Sequence, residues 1–274
     1  MQLHYFPAPA ATNTLSTKEL RCHFLLSELF QSGKVTAHYT DLDRMIVGAA
    51  IPTSTPLPLP NARELGTSFF LERREIGILN LGQKGSVRVG TESHELDPLD
   101  CVYIGMGEKE VEFQASTSGS PQFYFVSCPA HAKFATAVVR HAGMKTDLIG
   151  DAATANRRRI NKLIHPDGVK SCQLVMGLTE LEPGSVWNTM PPHTYSRRTE
   201  VYLYFDLGVN AVFHFMGLPE ATRHLVVKDR EAVMSPAWSV HCGAGTSAYR
   251  FIWAMAGDNQ VFADMDAAPI GTLR

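Results

Sequence analysis

No stretch of this chain stays apolar for long. From residue 67 onward the apolar residues come in short runs broken by Gly and Asp: SFFLE, EIGILNLG, GSVRVG, DCVYIGMG, EVEFQA and FYFVSC, then CQLVMGLTEL, EVYLYFDLG, AVFHFMG, RHLVV, AVMSP and YRFIWAMAG. Val, Ile, Phe and Tyr dominate them, as strands prefer. Runs this short bury little surface alone and must pair laterally, so the spacing predicts an all-β chain. The 21 Gly and 16 Pro supply the turns such a chain needs. The longest apolar run, Met45 to Ile51, falls far short of the roughly 20 residues that cross a bilayer.

One segment breaks the pattern. Ser16-Thr17-Lys18-Glu19 has the capping-box form, and Leu20, Phe24, Leu25 and Phe30 follow at helical spacing before Gly33. That predicts one helix near 17–31. Residues 35–50 read as extended, and 52–62 as a loop, because four prolines remove ladder donors. The predicted organisation is an N-terminal segment with the helix (1–34), a barrel (35–130), a connector (131–165) and a second barrel (166–274). The two halves are alike. ERREIGILNLGQKGSVRV (72–89) and RRTEVYLYFDLGVNAVFHF (197–215) share an Arg pair, a carboxylate, a strand, a Leu-Gly turn and a second strand. Duplication of a small barrel accounts for both.

Charge and cysteine content narrow the function. Lys+Arg is 25 against Asp+Glu 27, a net charge of -2, which gives no reason to expect nucleic acid or a membrane surface as partner. The five Cys (22, 101, 128, 172, 242) are widely spaced with no CxxC, and no signal peptide is visible, so a reducing cytoplasm is expected.

The strongest chemical signal is His193-Thr194-Tyr195-Ser196-Arg197-Arg198-Thr199-Glu200, then Pro236-Ala237-Trp238-Ser239-Val240-His241. A His, a carboxylate seven residues on at the head of a strand, and a later His make a donor set for Zn2+, Mn2+ or Fe2+. His193 and Tyr195 share one face of an extended segment. The bland readings stand beside it: barrel histidines, and Glu200 simply paired with Arg197 or Arg198. Cys242, beside His241, reads as a small core filler, and His214 and His224 as core or surface histidines.

These motifs resemble the cupin superfamily, with Tyr195 in place of a His and Trp238 in place of a Gly. GTSFFLERREIGILNLG (66–82), the 156–205 stretch containing WNTMPPH, and the 235–266 stretch containing DNQVF resemble, more narrowly, the 5-keto-4-deoxyuronate isomerases (4-deoxy-L-threo-5-hexosulose-uronate ketol-isomerases). The resemblance implies an all-β bicupin, a cytoplasmic homohexamer, a zinc site and aldose–ketose isomerisation of a keto-uronate in pectin breakdown. It carries His193, Glu200 and His241 over as metal ligands; Tyr195 and Glu200 are the catalytic candidates, Tyr195 as the base by position only. The resemblance offers Arg74, Arg158, Lys162, Arg197 and Arg198 for the substrate carboxylate, which guanidinium forks suit.

The family has a second His where this chain has Tyr195. Three arrangements follow. The metal sits on two His and one Glu with an open position; Tyr195 serves as phenolate ligand or proton donor; or the metal is lost. The first is preferred, because three ligands and an open position are a catalytic zinc arrangement. Two rival functions stay open: an Fe(II) dioxygenase on the same triad, and a non-catalytic sugar-acid-binding cupin.

Overall fold

The computed structural model describes residues 1–117 and 119–274. The chain divides into two units. The first comprises 1–4, 28–144 and 163–175; the second comprises 5–27, 145–162 and 176–274.

Each unit is built on one large and one small sheet, as the all-β bicupin expectation requires, with antiparallel pairing except where Gln2–His4 runs parallel to Val35–Thr40. In the first unit a seven-stranded sheet runs Gln2–His4, Val35–Thr40, Ile46–Ala50, Phe123–Pro129, Arg74–Asn80, Cys101–Ile104, Ala137–Val139. Its four-stranded companion runs Leu57–Pro58, Val111–Ala115, Gly85–Val89, Glu92–Leu96. In the second unit the large sheet runs Thr146–Ile149, Arg158–Ile164, Val175–Leu181, Arg250–Gly257, Arg198–Phe205, Ala232–Ser235, Leu25–Leu26. The small one runs Trp187–Asn188, Cys242–Gly245, Val212–Leu218, Ala221–Val227. The four central strands of each large sheet, and all four of each small sheet, occur in the same order, as a duplicated barrel predicts.

The units differ inside. Ile76 and Ile78 on the central strand of the first unit pack with Val102, Phe113, Phe123 and Phe125 into an apolar core. The corresponding strand of the second unit turns Glu200, Tyr202 and Tyr204 the same way, since alternate residues share a face. This face of the central strand is therefore apolar in the first unit and polar in the second.

The helix is shorter than the 17–31 expected. It spans Thr17–Phe24, capped as predicted: Ser16 N–H donates to Glu19 Oε2 (2.7 Å) and Glu19 N–H donates to Ser16 Oγ (3.3 Å). Leu25–Leu26 then turns extended and pairs with Val233 and Ala232. A sheet edge offers both leucines backbone partners and full burial, and it wins over helical propensity. The segment also does not stand apart: 5–27 and 145–162 belong to the second unit, and 163–175 to the first, against the expected boundaries at 34, 130 and 165. Glu75 shows what ties 163–175 down. Its carboxylate, fully buried, accepts the backbone N–H of Cys172, Gln173 and Leu174 at 2.7 Å each and the Tyr103 hydroxyl at 2.6 Å.

Candidate metal centre and substrate cavity

Three strand systems of the second unit deliver the donors. His193 opens a two-residue strand paired to Asp266–Ala267. Glu200 lies on the central strand, opposite Met255 and Ser235. His241 immediately precedes the strand Cys242–Gly245 of the smaller sheet. Their ligand atoms all lie within 4.8 Å of one another. His193 Nε2 is 2.9 Å from His241 Nε2, which is 3.1 Å from Glu200 Oε2. Among the described residues no other group of three such side chains converges in this way.

The chemistry of the trio fits a divalent cation. Glu200 Oε2 is buried, and despite its closeness to His241 its geometry gives it no hydrogen bond. Burial, reinforced by His241 and Arg198, pushes the His193 imidazole far below its ordinary value, so it is neutral and free to ligate. Imidazole and carboxylate donors converging in this way suit a divalent cation.

Tyr195 is 3% exposed and stands beside the trio rather than completing it. Its ring stacks on His241 (5.5 Å, 15°) and meets His193 edge-on (4.8 Å). The Arg198 guanidinium covers it at 4.4 Å. Its hydroxyl donates to the Phe262 carbonyl at 3.4 Å. Burial, then the Glu200 charge, raises the phenol well above its ordinary value. With the Tyr195 hydroxyl directed at the Phe262 carbonyl, the converging donors are two His and one Glu.

His193, Tyr195 and Glu200 line a cavity of about 270 Å³. Apolar walls come from Phe251, Trp253 and Phe262. Trp253 lies flat on the neighbouring strand because residue 177 is Gly: a Cβ there would sit 2.1 Å from the indole. Its Nε1–H donates to Thr179 Oγ1 at 3.1 Å.

The five cations proposed for the carboxylate separate cleanly. Arg158 lines the cavity and donates from Nη1 to the Asn156 carbonyl (2.7 Å); among the described residues its Nε has no partner and no carboxylate pairs with it. Strand alternation explains this: its neighbours Arg157 and Arg159 turn the other way and both pair with Glu182 at 3.0 Å. Arg197 and Arg198 do not line the cavity. Arg197 pairs with Asp264 (3.0 Å) and Asp266 (3.1 Å). Arg198, 1% exposed, bonds Asp264, Asn259 Oδ1 (2.8 Å) and the Val261 carbonyl (2.5 Å). Together they fasten the 258–267 loop that supplies Phe262. Lys162 pairs with Asp147 at 3.3 Å. Arg74 lies in the first unit and gives its guanidinium to Ser127 Oγ (3.1 Å), the Ser127 carbonyl (3.0 Å) and the Arg44 carbonyl (2.6 Å). Four of the five thus already have partners within the fold.

The sequence reading missed Asp264 and Asp266 as the partners of the Arg pair, and Asn188, Thr189 and Tyr202 as cavity residues. The Asp-x-Asp spacing opposite Arg-Arg was the available signal for the first.

Comparison with known proteins agrees with this architecture. The family described as KduI/IolB matches residues 25–270. The chain is 62% identical to the 4-deoxy-L-threo-5-hexosulose-uronate ketol-isomerase of Opitutus terrae and 48% identical to that of Bacillus subtilis, over 100% of both chains in each case. An IolB-like protein from Salmonella typhimurium superposes with a TM-score of 0.69 at 14% identity, covering 86% of this chain and 94% of that one. Hazelnut vicilin superposes with a TM-score of 0.55 at 10% identity, covering 85% of each chain. The likeness to the last two is one of fold. By sequence along nearly its whole length, the chain belongs to the KduI/IolB family.

Proposed function

We propose that this protein is a 4-deoxy-L-threo-5-hexosulose-uronate ketol-isomerase, dependent on a zinc ion held by His193, Glu200 and His241. The observation that carries it is Arg158, a half-buried guanidinium without a carboxylate partner among the described residues, in the same cavity as the trio. That pairing suits an acid whose carboxylate takes the Arg fork while its carbonyl end meets the metal centre. A zinc ion at that place supplies Lewis acidity, easing proton loss beside a carbonyl. Phe251, Trp253 and Phe262 keep water from the reacting carbons. Tyr195 holds its proton on Oη beside the cavity, which suits it to give a proton rather than take one. Glu200 holds the cation and fixes the charge of the site.

The finer properties follow the same reading. The substrate is the keto-uronate of pectin breakdown. The five cysteines are all free, in keeping with a reducing cytoplasm. Among the described residues no helix is long and apolar enough to cross a membrane. A homohexamer, carried by the family resemblance, is read directly by sedimentation velocity.

The test is Arg158→Met. Loss of a charge-assisted fork predicts a KM about 10- to 100-fold higher at unchanged metal content. An unchanged KM removes Arg158, and with it the case for an acid substrate in this cavity.

A further inference from the structure

The WNTMPPH stretch carries a feature that neither the metal trio nor Arg158 uses. Thr189 adopts φ +57°, in the left-handed region. It is the one β-branched residue to do so among the described residues, and such residues are genuine outliers there. Strained backbone of this kind persists where its surroundings enforce it, and it clusters at ligand sites. Here the surroundings are a ladder: Trp187–Asn188 pairs with Ala244 and Gly243, so Asn188 is registered two residues beyond His241.

The strained residue sets up a polar chain inside the cavity. Asn188 Nδ2 donates to Thr189 Oγ1 at 2.5 Å. The Tyr202 phenol lies next to Thr189 in the same cavity. All three line the cavity with His193 and Glu200. An amide nitrogen only donates, so Thr189 Oγ1 is an acceptor toward Asn188. Two hydroxyl protons then remain, on Thr189 and Tyr202, and a bond between these two groups uses at most one of them. At least one proton is left without an acceptor among the described residues. Asn188 thus fixes the polarity at Thr189 and leaves at least one O–H donor for a group in the cavity.

We infer that Asn188, Thr189 and Tyr202 form a hydrogen-bond donor that binds a substrate oxygen next to the reacting carbons, a carbonyl or hydroxyl oxygen of the sugar acid. This rests on the isomerase reading above and adds residues to it. It also accounts for the left-handed Thr: the backbone conformation delivers Oγ1 between the amide and the phenol. The donor strengthens as negative charge grows on that oxygen, so its removal acts mainly on kcat.

The experiment compares zinc-loaded wild type with Thr189→Val, Thr189→Ser and Tyr202→Phe on the 4-deoxy-5-keto-uronate. Valine keeps the shape and loses the hydroxyl. The expected result is a fall in kcat/KM of about 10- to 100-fold for Thr189→Val, carried in kcat, with zinc content unchanged. Serine recovers most of that loss. Tyr202→Phe shows a loss of similar size, and the Thr189→Val/Tyr202→Phe double variant loses far less than the product of the two. If Thr189→Val fails to fold, Tyr202→Phe interrupts the same chain from its other end. A folded variant without either hydroxyl that keeps kcat/KM within threefold of wild type overturns this inference alone. A wild type that leaves the keto-uronate unchanged overturns the isomerase reading and this inference with it.

Discussion

Asp264→Asn is the most informative single change outside the candidate metal centre. Asp264 joins two arginines to the loop that walls the cavity, and Arg198 is 1% exposed. Burial pushes the Asp264 carboxyl up, but Asn259, Arg198 and Arg197 outweigh it and leave it below its ordinary value. In the variant, one side-chain oxygen can still accept from Arg198. The new amide faces two donors, Arg197 Nε (3.0 Å) and Asn259 Nδ2 (3.1 Å). Breaking a buried pair outright costs about 3–5 kcal/mol. With one bond to Arg198 kept, we expect about 2–3 kcal/mol. The loop absorbs this by opening, so its closed-to-open ratio falls roughly 30- to 150-fold. Hydrogen exchange over 258–266 should accelerate accordingly, and KM should rise as Phe262 leaves the wall. Unchanged exchange in this segment, with KM within twofold of wild type, would refute the idea that the Arg pair holds the cavity wall.

Other outcomes follow from single residues. Glu75→Gln sets an amide N–H2 against backbone N–H donors at 2.7 Å. It should lower stability by about 3–5 kcal/mol in denaturant titration, and a change under 1 kcal/mol would contradict the clamp on 163–175. Gly177→Ala drives a methyl into the Trp253 indole. It should lower the melting temperature and weaken substrate binding together, as a thermal melt and a KM would report. His214 is fully buried, and burial with the nearby His241 lowers its imidazole to about 3. The unfolded chain takes up a proton that the folded one lacks, so stability is fully present above about pH 6.5 and is lost as pH falls toward 3, by about 1.4 kcal/mol per pH unit. His214→Phe should flatten the pH dependence of unfolding by about one proton; the same slope in both proteins would contradict this.

Much of the fold was legible because its signals are local. Short Val- and Ile-rich runs make strands wherever they lie, and the Ser16–Glu19 box is complete within four residues. The trio was legible for a related reason, since a donor at the head of a strand and another beside a facing strand keep their spacing through the barrel. What escaped depends on partners far along the chain. Leu25 and Leu26 read as helix until Val233 and Ala232 supply a sheet edge. Arg197 and Arg198 read as candidates for a substrate carboxylate or as partners of Glu200 until Asp264 and Asp266 meet them more than 60 residues later. Arg158 could have been separated from its neighbours, because strand alternation divides an Arg triplet into one inward and two outward side chains.

The central claim is a metal-dependent isomerisation that tolerates Tyr195. Its most direct test is anaerobic turnover of 4-deoxy-L-threo-5-hexosulose uronate, before and after a chelator, with zinc then restored. The account predicts conversion to the 2,5-diketo acid without oxygen, abolished by the chelator and recovered with zinc. Undiminished conversion by metal-free protein, or none by zinc-loaded protein, would contradict it.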